Sequence, residues 1–175
     1  IQFQNQELVQ FKPDIVFLHT TWQNVSQFPE LLENDERVEQ RIKEETARFE
    51  ALWESIHTQF GAIIIQNNFD LPRLRPLGNL EASESYSRVN FLMRLNAEMA
   101  AYARQHPNFL INDIHYLSAQ VGLDAWYGPT YWYSFHMAVS PAATVTLAQN
   151  VAAIIKSVYG KAKKCLVLDL DNTLW

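Results

Sequence analysis

Two carboxylates late in the sequence, Asp169 and Asp171, have the type and spacing to do chemistry. The residues before them, Cys165-Leu166-Val167-Leu168, are continuously apolar and partly β-branched. An apolar run without alternation predicts a strand covered on both faces, as in a parallel sheet lying between helices. Ligands of such sheets sit beyond the carboxyl ends of the strands. Side chains at i and i+2 of an extended chain point the same way, so both acids can face that crevice. Held close, two acids can divide labour: one attacks or binds a metal, the other moves a proton. Stripped of its context, the same Asp171-Asn172 is an ordinary polar turn after a buried strand.

Three more strand tips carry polar groups. Ile15 to Leu18 reads as a buried strand that ends in His19, Thr20 and Thr21. His19 there is either a site residue or a hydrogen-bonded strand terminator. Ala62 to Ile65 reads as a second strand, ending in Gln66, Asn67, Asn68, Phe69 and Asp70. Amides offer both donors and acceptors, so Asn67 and Asn68 can hold an oxyanion or a carbonyl without carrying charge. They are also normal turn residues. Phe109 to Ile111 reads as a third strand, with Asn112, Asp113 and His115 at its tip. Asp113 and His115 suit a metal or a dyad, and Asp113 suits equally the cap of a short helix over residues 115–121.

Helices must position these tips. Val38, Ile42, Phe49, Leu52, Trp53, Ile56 and Phe60 recur at helical spacing over residues 34–60, and Gly61 ends that helix. Ser83 is the expected N-cap of a second helix that runs to about Gln105, before His106-Pro107. Ser140 and Pro141 open a third, whose core stripe runs from Val145 to Val158 and which Gly160 ends. Residues 1–12 give no clear expectation. Residues 70–82 form a loop with Pro, Arg73 and Arg75. Residues 124–139 read as an aromatic-rich loop, dense in Trp and Tyr, that caps a core or meets a partner; His136 lies within it. Alternating strands and helices imply parallel strands and a three-layer αβα sandwich of the α/β class.

The run D-L-D-N-T resembles the first motif of the haloacid dehalogenase-like (HAD) superfamily of phosphotransferases. The longer run G-K-A-K-K-C-L-V-L-D-L-D-N-T-L-W, residues 160–175, resembles the FkbH-like branch, subfamily IIIC. That resemblance implies Asp169 as the nucleophile that takes the phosphoryl group and Asp171 as the general acid/base. It implies that Asp169 and the Asp171 carbonyl help hold magnesium, which favours hard oxygen ligands, and that Thr173 steadies the loop. The family also uses a later Ser/Thr, a Lys and a further acidic pair, which do not follow Thr173 here. The expectation is therefore a segment of a longer protein: residues 1–160 as one domain, and residues 161–175 as the start of a HAD-like Rossmannoid domain.

The layout of residues 13–160 resembles the SGNH/GDSL-hydrolase-like, flavodoxin-like domain at the N-terminus of FkbH-like proteins. SGNH enzymes carry a nucleophilic Ser in Gly-Asp-Ser, which this sequence lacks. Asn67 or Asn68 falls at the strand tip where that family carries an Asn. His136 matches the location of its catalytic His, with Tyr133 where the Asp of Asp-x-x-His would stand.

Composition narrows the partners. A net charge of −5 gives no electrostatic footprint for nucleic acid or an anionic membrane. No apolar run approaches the ~20 residues needed to span a bilayer. The single cysteine, Cys165, excludes an internal disulfide framework and fits a reducing, cytoplasmic setting. At 175 residues and 48% hydrophobic content, one compact domain with a real core is expected. The FkbH resemblance implies an enzyme that removes phosphate from a phosphorylated three-carbon glyceryl donor and loads the unit onto acyl carrier protein. Two alternatives stand beside it: a non-catalytic module that docks carrier protein or an acyl group through the aromatic segment, and an ester hydrolase using His136.

Overall fold

The computed structural model describes residues 6–161. In chain order these form α1 (Gln6–Phe11), β1 (Ile15–Leu18), α2 (Asp35–Phe60), β2 (Ile63–Asn67), α3 (Arg88–Gln105), β3 (Phe109–Asn112), α4 (Ile114–Val121), α5 (Leu123–Trp126), α6 (Pro129–Phe135) and α7 (Pro141–Val158). The strand expected at residues 165–169 lies outside the described residues.

The three strands form a parallel sheet in the order β1-β2-β3. Ile15 pairs with Ile63 and Leu18 with Gln66; Ile64 pairs with Phe109 and Asn67 with Asn112. Parallel neighbours need a long crossover, which α2 and α3 supply. Both crossovers step the same way along the sheet, so a common hand puts both helices on one face. There α2 and α3 pack on each other and on the sheet. On the other face α7 lies across β3, with Ile154 and Val158 near Ile63 and Leu110. The architecture is the α/β three-layer sandwich read from the sequence.

The main core fills the space under α2 and α3. Val38, Ile42, Phe49, Trp53 and Ile56 of α2 meet Phe91, Leu92, Leu95 and Met99 of α3 over Ile64 and Phe109. Each fully buried side chain of this size contributes about 1.5–3 kcal/mol. Trp53 is its centre: it is 1% exposed, lies against Phe109 with ring centres 4.5 Å apart, and donates its indole N–H to Gln66 Oε1 at 2.9 Å. A second cluster, Ile114, Leu117, Trp126, Val139, Ala143 and Leu147, joins α4, α5 and α7.

Helix ends follow the expected chemistry at most positions. Asn34 caps α2 by accepting from Arg37 N at 2.9 Å. Gly61 stops it in the left-handed region at φ 62°, which costs glycine nothing because it has no Cβ. Ser140 caps α7 by accepting from Ala143 N, with Pro141 in the first turn.

Two sequence expectations are corrected. The cap of α3 is Ser87, not Ser83: Ser87 Oγ accepts from Asn90 N at 3.2 Å and donates to Glu81 O at 2.6 Å. The buried Glu81 carboxylate accepts from Val89 N, so two N-terminal amides of α3 are satisfied one turn later than read. The aromatic segment at 124–139 is not a loop throughout. It contains α5 and α6, the latter opened by Pro129. Residues 6–11, for which no element was read, form α1. Among the described residues, no helix is long and apolar enough to cross a membrane.

Candidate functional site

Alternate residues of a strand face opposite sides of the sheet. Val16, Leu18, Ile64 and Phe109 point into the α2–α3 core, so the tips reached by counting in twos from Phe17, Ile65 and Leu110 face α7. Those tips are His19, Asn67 and Asn112. In-register pairing sets them side by side.

A chain of amide hydrogen bonds joins them. Asn150 of α7 donates Nδ2–H to Asn112 Oδ1 at 2.6 Å. Asn112 donates to Asn67 Oδ1 at 2.7 Å. Asn67 Nδ2 then lies 3.1 Å from the Thr20 carbonyl and 2.9 Å from His19 Nδ1. Asn67 and Asn112 are fully buried, and an unpaired buried amide would cost about 1–3 kcal/mol. Here each finds partners.

The network also sets the His19 tautomer. A carbonyl can only accept, so the Asn67 atom facing Thr20 O is its nitrogen. One of its two protons serves Thr20 and the other is aimed at His19 Nδ1. Nδ1 must therefore be bare, which leaves the ring proton on Nε2. Partial burial holds His19 below the ordinary imidazole range, and a donor at Nδ1 further disfavours the imidazolium.

Beside His19 opens a cavity of about 680 Å³. Phe17, Trp132, Val139 and Leu147 give it apolar walls; Thr21, Asn24 and Thr144 are polar neighbours. His136 reaches the same cavity. It follows α6 in the left-handed region at φ 54°, unusual for a residue with a Cβ, and its ring lies edge-on to Trp132 at 5.6 Å. The structure thus brings together His19 and His136, which the sequence had assigned separately.

Asn68 lies in a different group. It donates to Asp113 Oδ1 at 2.7 Å and accepts from His115 N at 3.1 Å. Asp113 also accepts from Tyr116 N, so it caps α4. Both side chains serve the start of that helix, the capping alternative read for Asp113. His115 Nδ1 is buried without a hydrogen-bond partner among the described residues.

One buried acid was not singled out from sequence. Asp70, 1% exposed, accepts from Trp22 N at 3.0 Å and from Trp126 Nε1 at 2.8 Å. Burial pushes its carboxyl up to about 6, against the pull of those donors and of nearby His115. It fastens the segment after β1 and helix α5 to the tip of β2.

The hydrolase constellation finds little here. Ser118 is buried in α4 and donates to His115 O at 2.8 Å. Among the described residues no serine lines the cavity. Tyr133, at the position where an acid would orient His136, is 79% exposed. Nor is there, among the described residues, a group of three His, Cys, Asp or Glu that could hold a metal. Asp169, Asp171 and Thr173 lie outside the described residues.

Sequence reasoning missed Asn150, Phe17, Asn24 and Thr144 as parts of this region. Asn150 carried a signal: an amide next to Val151 on the stripe of α7 that meets the sheet.

Comparison with known proteins adds a family. A solved structure, the N-terminal part of the protein BF1531 from Bacteroides fragilis containing a phosphatase domain complexed with Mg, is similar in fold with a TM-score of 0.74 and 22% identity. It covers 98% of this chain, and this chain spans 46% of it. No curated protein matches the sequence. The sequence pattern of the family described as FkbH, N-terminal domain, matches residues 1–156, and the chain belongs to that family.

Proposed function

We propose that this chain is the N-terminal part of a FkbH-like phosphatase/glyceryltransferase. The observation that carries this is the order of two signals: the FkbH N-terminal match over residues 1–156 and, after twelve intervening residues, D-L-D-N-T at 169–173. A likeness in fold to a protein containing a phosphatase domain supports the reading.

In this reading Asp169 attacks the phosphorus of a glyceryl phosphate and forms an aspartyl phosphate. Asp171 gives its proton to the leaving oxygen, then takes one from the water that hydrolyses the acyl phosphate. Thr173 steadies the loop. The Asp169 carboxylate and the Asp171 carbonyl are hard oxygen donors of the kind magnesium takes. When bound, magnesium would neutralise phosphate charge. Loading the three-carbon unit needs a donor that also carries an acyl phosphate, as 1,3-bisphosphoglycerate does. The carrier-protein thiolate would attack the acyl carbon and release that phosphate, while Asp169 and Asp171 remove the phosphate ester; residues 1–160 would serve as the docking domain.

A second reading, a non-catalytic acyl- or carrier-binding module, is favoured for the described domain by its cavity, which pairs apolar walls with two histidines and lacks a serine among the described residues. The test uses the longer protein, a glyceryl phosphate donor and carrier protein. Loading that disappears in Asp169→Asn supports the phosphatase/transferase assignment; loading that persists overturns it. Carrier binding to this chain, weakened by Trp132→Ala, supports the docking role. Hydrolysis of p-nitrophenyl acetate that is lost in His136→Ala would instead revive the ester hydrolase.

A further inference from the structure

We propose that the cavity beside β1 is a binding site for an uncharged ligand with a hydrogen-bond acceptor and an apolar body, anchored by His19 Nε2–H. The relay Asn150–Asn112–Asn67 is the positioning device that keeps that proton on Nε2.

Three observations converge. The first is the cavity itself, about 680 Å³, within the size range of small-molecule sites, roughly 300–1,000 Å³. The second is its lining. Among the described residues its lining holds no Asp, Glu, Lys or Arg, so a phosphate or carboxylate there would lack a fixed counter-charge. An ion set against its apolar walls gives up hydration that a hydrogen-bonded carbonyl does not need. The third is direction. Three amides, two of them fully buried, pass their hydrogen bonds one way, toward His19 Nδ1. With Nδ1 accepting, Nε2–H is the ring's donor. Several other polar atoms at the cavity are already engaged: Thr144 Oγ1 donates to Ser140 O, Thr21 Oγ1 donates to Gln23 Oε1, and Asn24 Oδ1 accepts from Thr21 N. His19 Nε2–H is the donor whose tautomer the amide chain fixes, beside Phe17, Trp132 and Leu147; the His136 ring lines the same cavity.

This site is separate from the acidic pair. A charged phosphoryl group belongs with Asp169 and Asp171 in the proposed function; the cavity selects against it. Failure of either assignment leaves the other standing, because the test below uses no phosphate chemistry.

The experiment uses the 175-residue chain with ¹⁵N-labelled histidine at pH 8, where ordinary imidazoles are neutral. Three probes of similar shape are titrated: 4-phenyl-2-butanone, 3-phenylpropanoate and butylbenzene. The expected result has His19 as the Nε2–H tautomer, with the ketone shifting Nε2 and binding at least about tenfold tighter than the other two. His19→Phe loses about tenfold in ketone affinity, whereas His19→Gln, whose amide restores a donor near Nε2, stays within about threefold. Asn67→Asp, whose carboxylate can only accept from Nδ1, populates the Nδ1–H tautomer. An Nδ1–H ring in the unsubstituted chain, absence of ketone binding, equal or tighter binding of the carboxylate, or unchanged affinity in His19→Phe would each overturn the proposal.

Discussion

Trp126 donates its indole N–H to Asp70 Oδ2 across 2.8 Å, and both side chains are essentially removed from solvent. A carboxylate at the tip of β2 thereby holds α5, the start of the segment that walls the cavity. Asp70 also accepts from the Trp22 amide, so one acid secures chain on both sides of the site.

This contact has a pH signature. The carboxyl rises from 3.8 unfolded to about 6 folded, chiefly through burial. Between those values the folded state binds more protons. The stability this supplies is fully present below about pH 3.8 and is lost as pH rises through about 6. Its full size is about 3 kcal/mol, from 1.36 kcal/mol per unit. Asp70→Asn removes the titration. Urea unfolding at several pH values should show the wild type losing stability relative to the variant between pH 4 and 7. Parallel curves would contradict the assignment.

Trp53 fills the centre of the α2–α3 core and pairs with Gln66. Trp53→Ala should cost about 3–5 kcal/mol, from the cavity left behind and the lost contacts. Trp53→Phe should cost less, retaining most of the packing but leaving Gln66 Oε1 without its indole donor. Equilibrium denaturation of both variants checks the order.

Ser140 does two jobs with one hydroxyl. It accepts from Ala143 N and donates to Ala125 O at 2.7 Å, tying α5 to the start of α7. Ser140→Ala should destabilise by about 1–2 kcal/mol, the upper part of the N-cap range. Ser140→Thr should recover most of this. Thermal unfolding distinguishes them.

Trp132 lies edge-on to His136 at the cavity mouth. Under the proposed docking role, Trp132→Ala weakens carrier-protein binding about tenfold or more, as removal of an aromatic anchor does. Isothermal titration with a matched circular dichroism spectrum checks that binding, not folding, has changed.

Much of this fold could be read ahead of the coordinates because its signals are local. Continuous apolar runs marked β1, β2 and β3, and Asn34, Gly61, Ser140 and Pro141 marked the helix ends. Ser83 misled because Ser83 and Ser87 offer the same cap chemistry. The choice was made by Glu81, a buried carboxylate whose reach to Val89 N is a tertiary fact. The aromatic density at 126–135 hid a helix start that Gly128-Pro129 did signal. At the site, the positions of His19 and Asn67 followed from strand tips. Their pairing did not, because it depends on strand register and on Asn150, 83 positions along the sequence from Asn67. Asn68 and Asp113 looked like site chemistry, yet the structure uses both to start α4.

The most direct test of the central assignment is acid-quench peptide mapping of the longer protein after brief exposure to a glyceryl phosphate donor and magnesium. The account predicts a phosphoryl group on the peptide containing Asp169, absent in Asp169→Asn and longer-lived in Asp171→Asn. An unmodified Asp169 peptide under conditions where phosphate is released, or a phosphoryl group on a different residue, would contradict it.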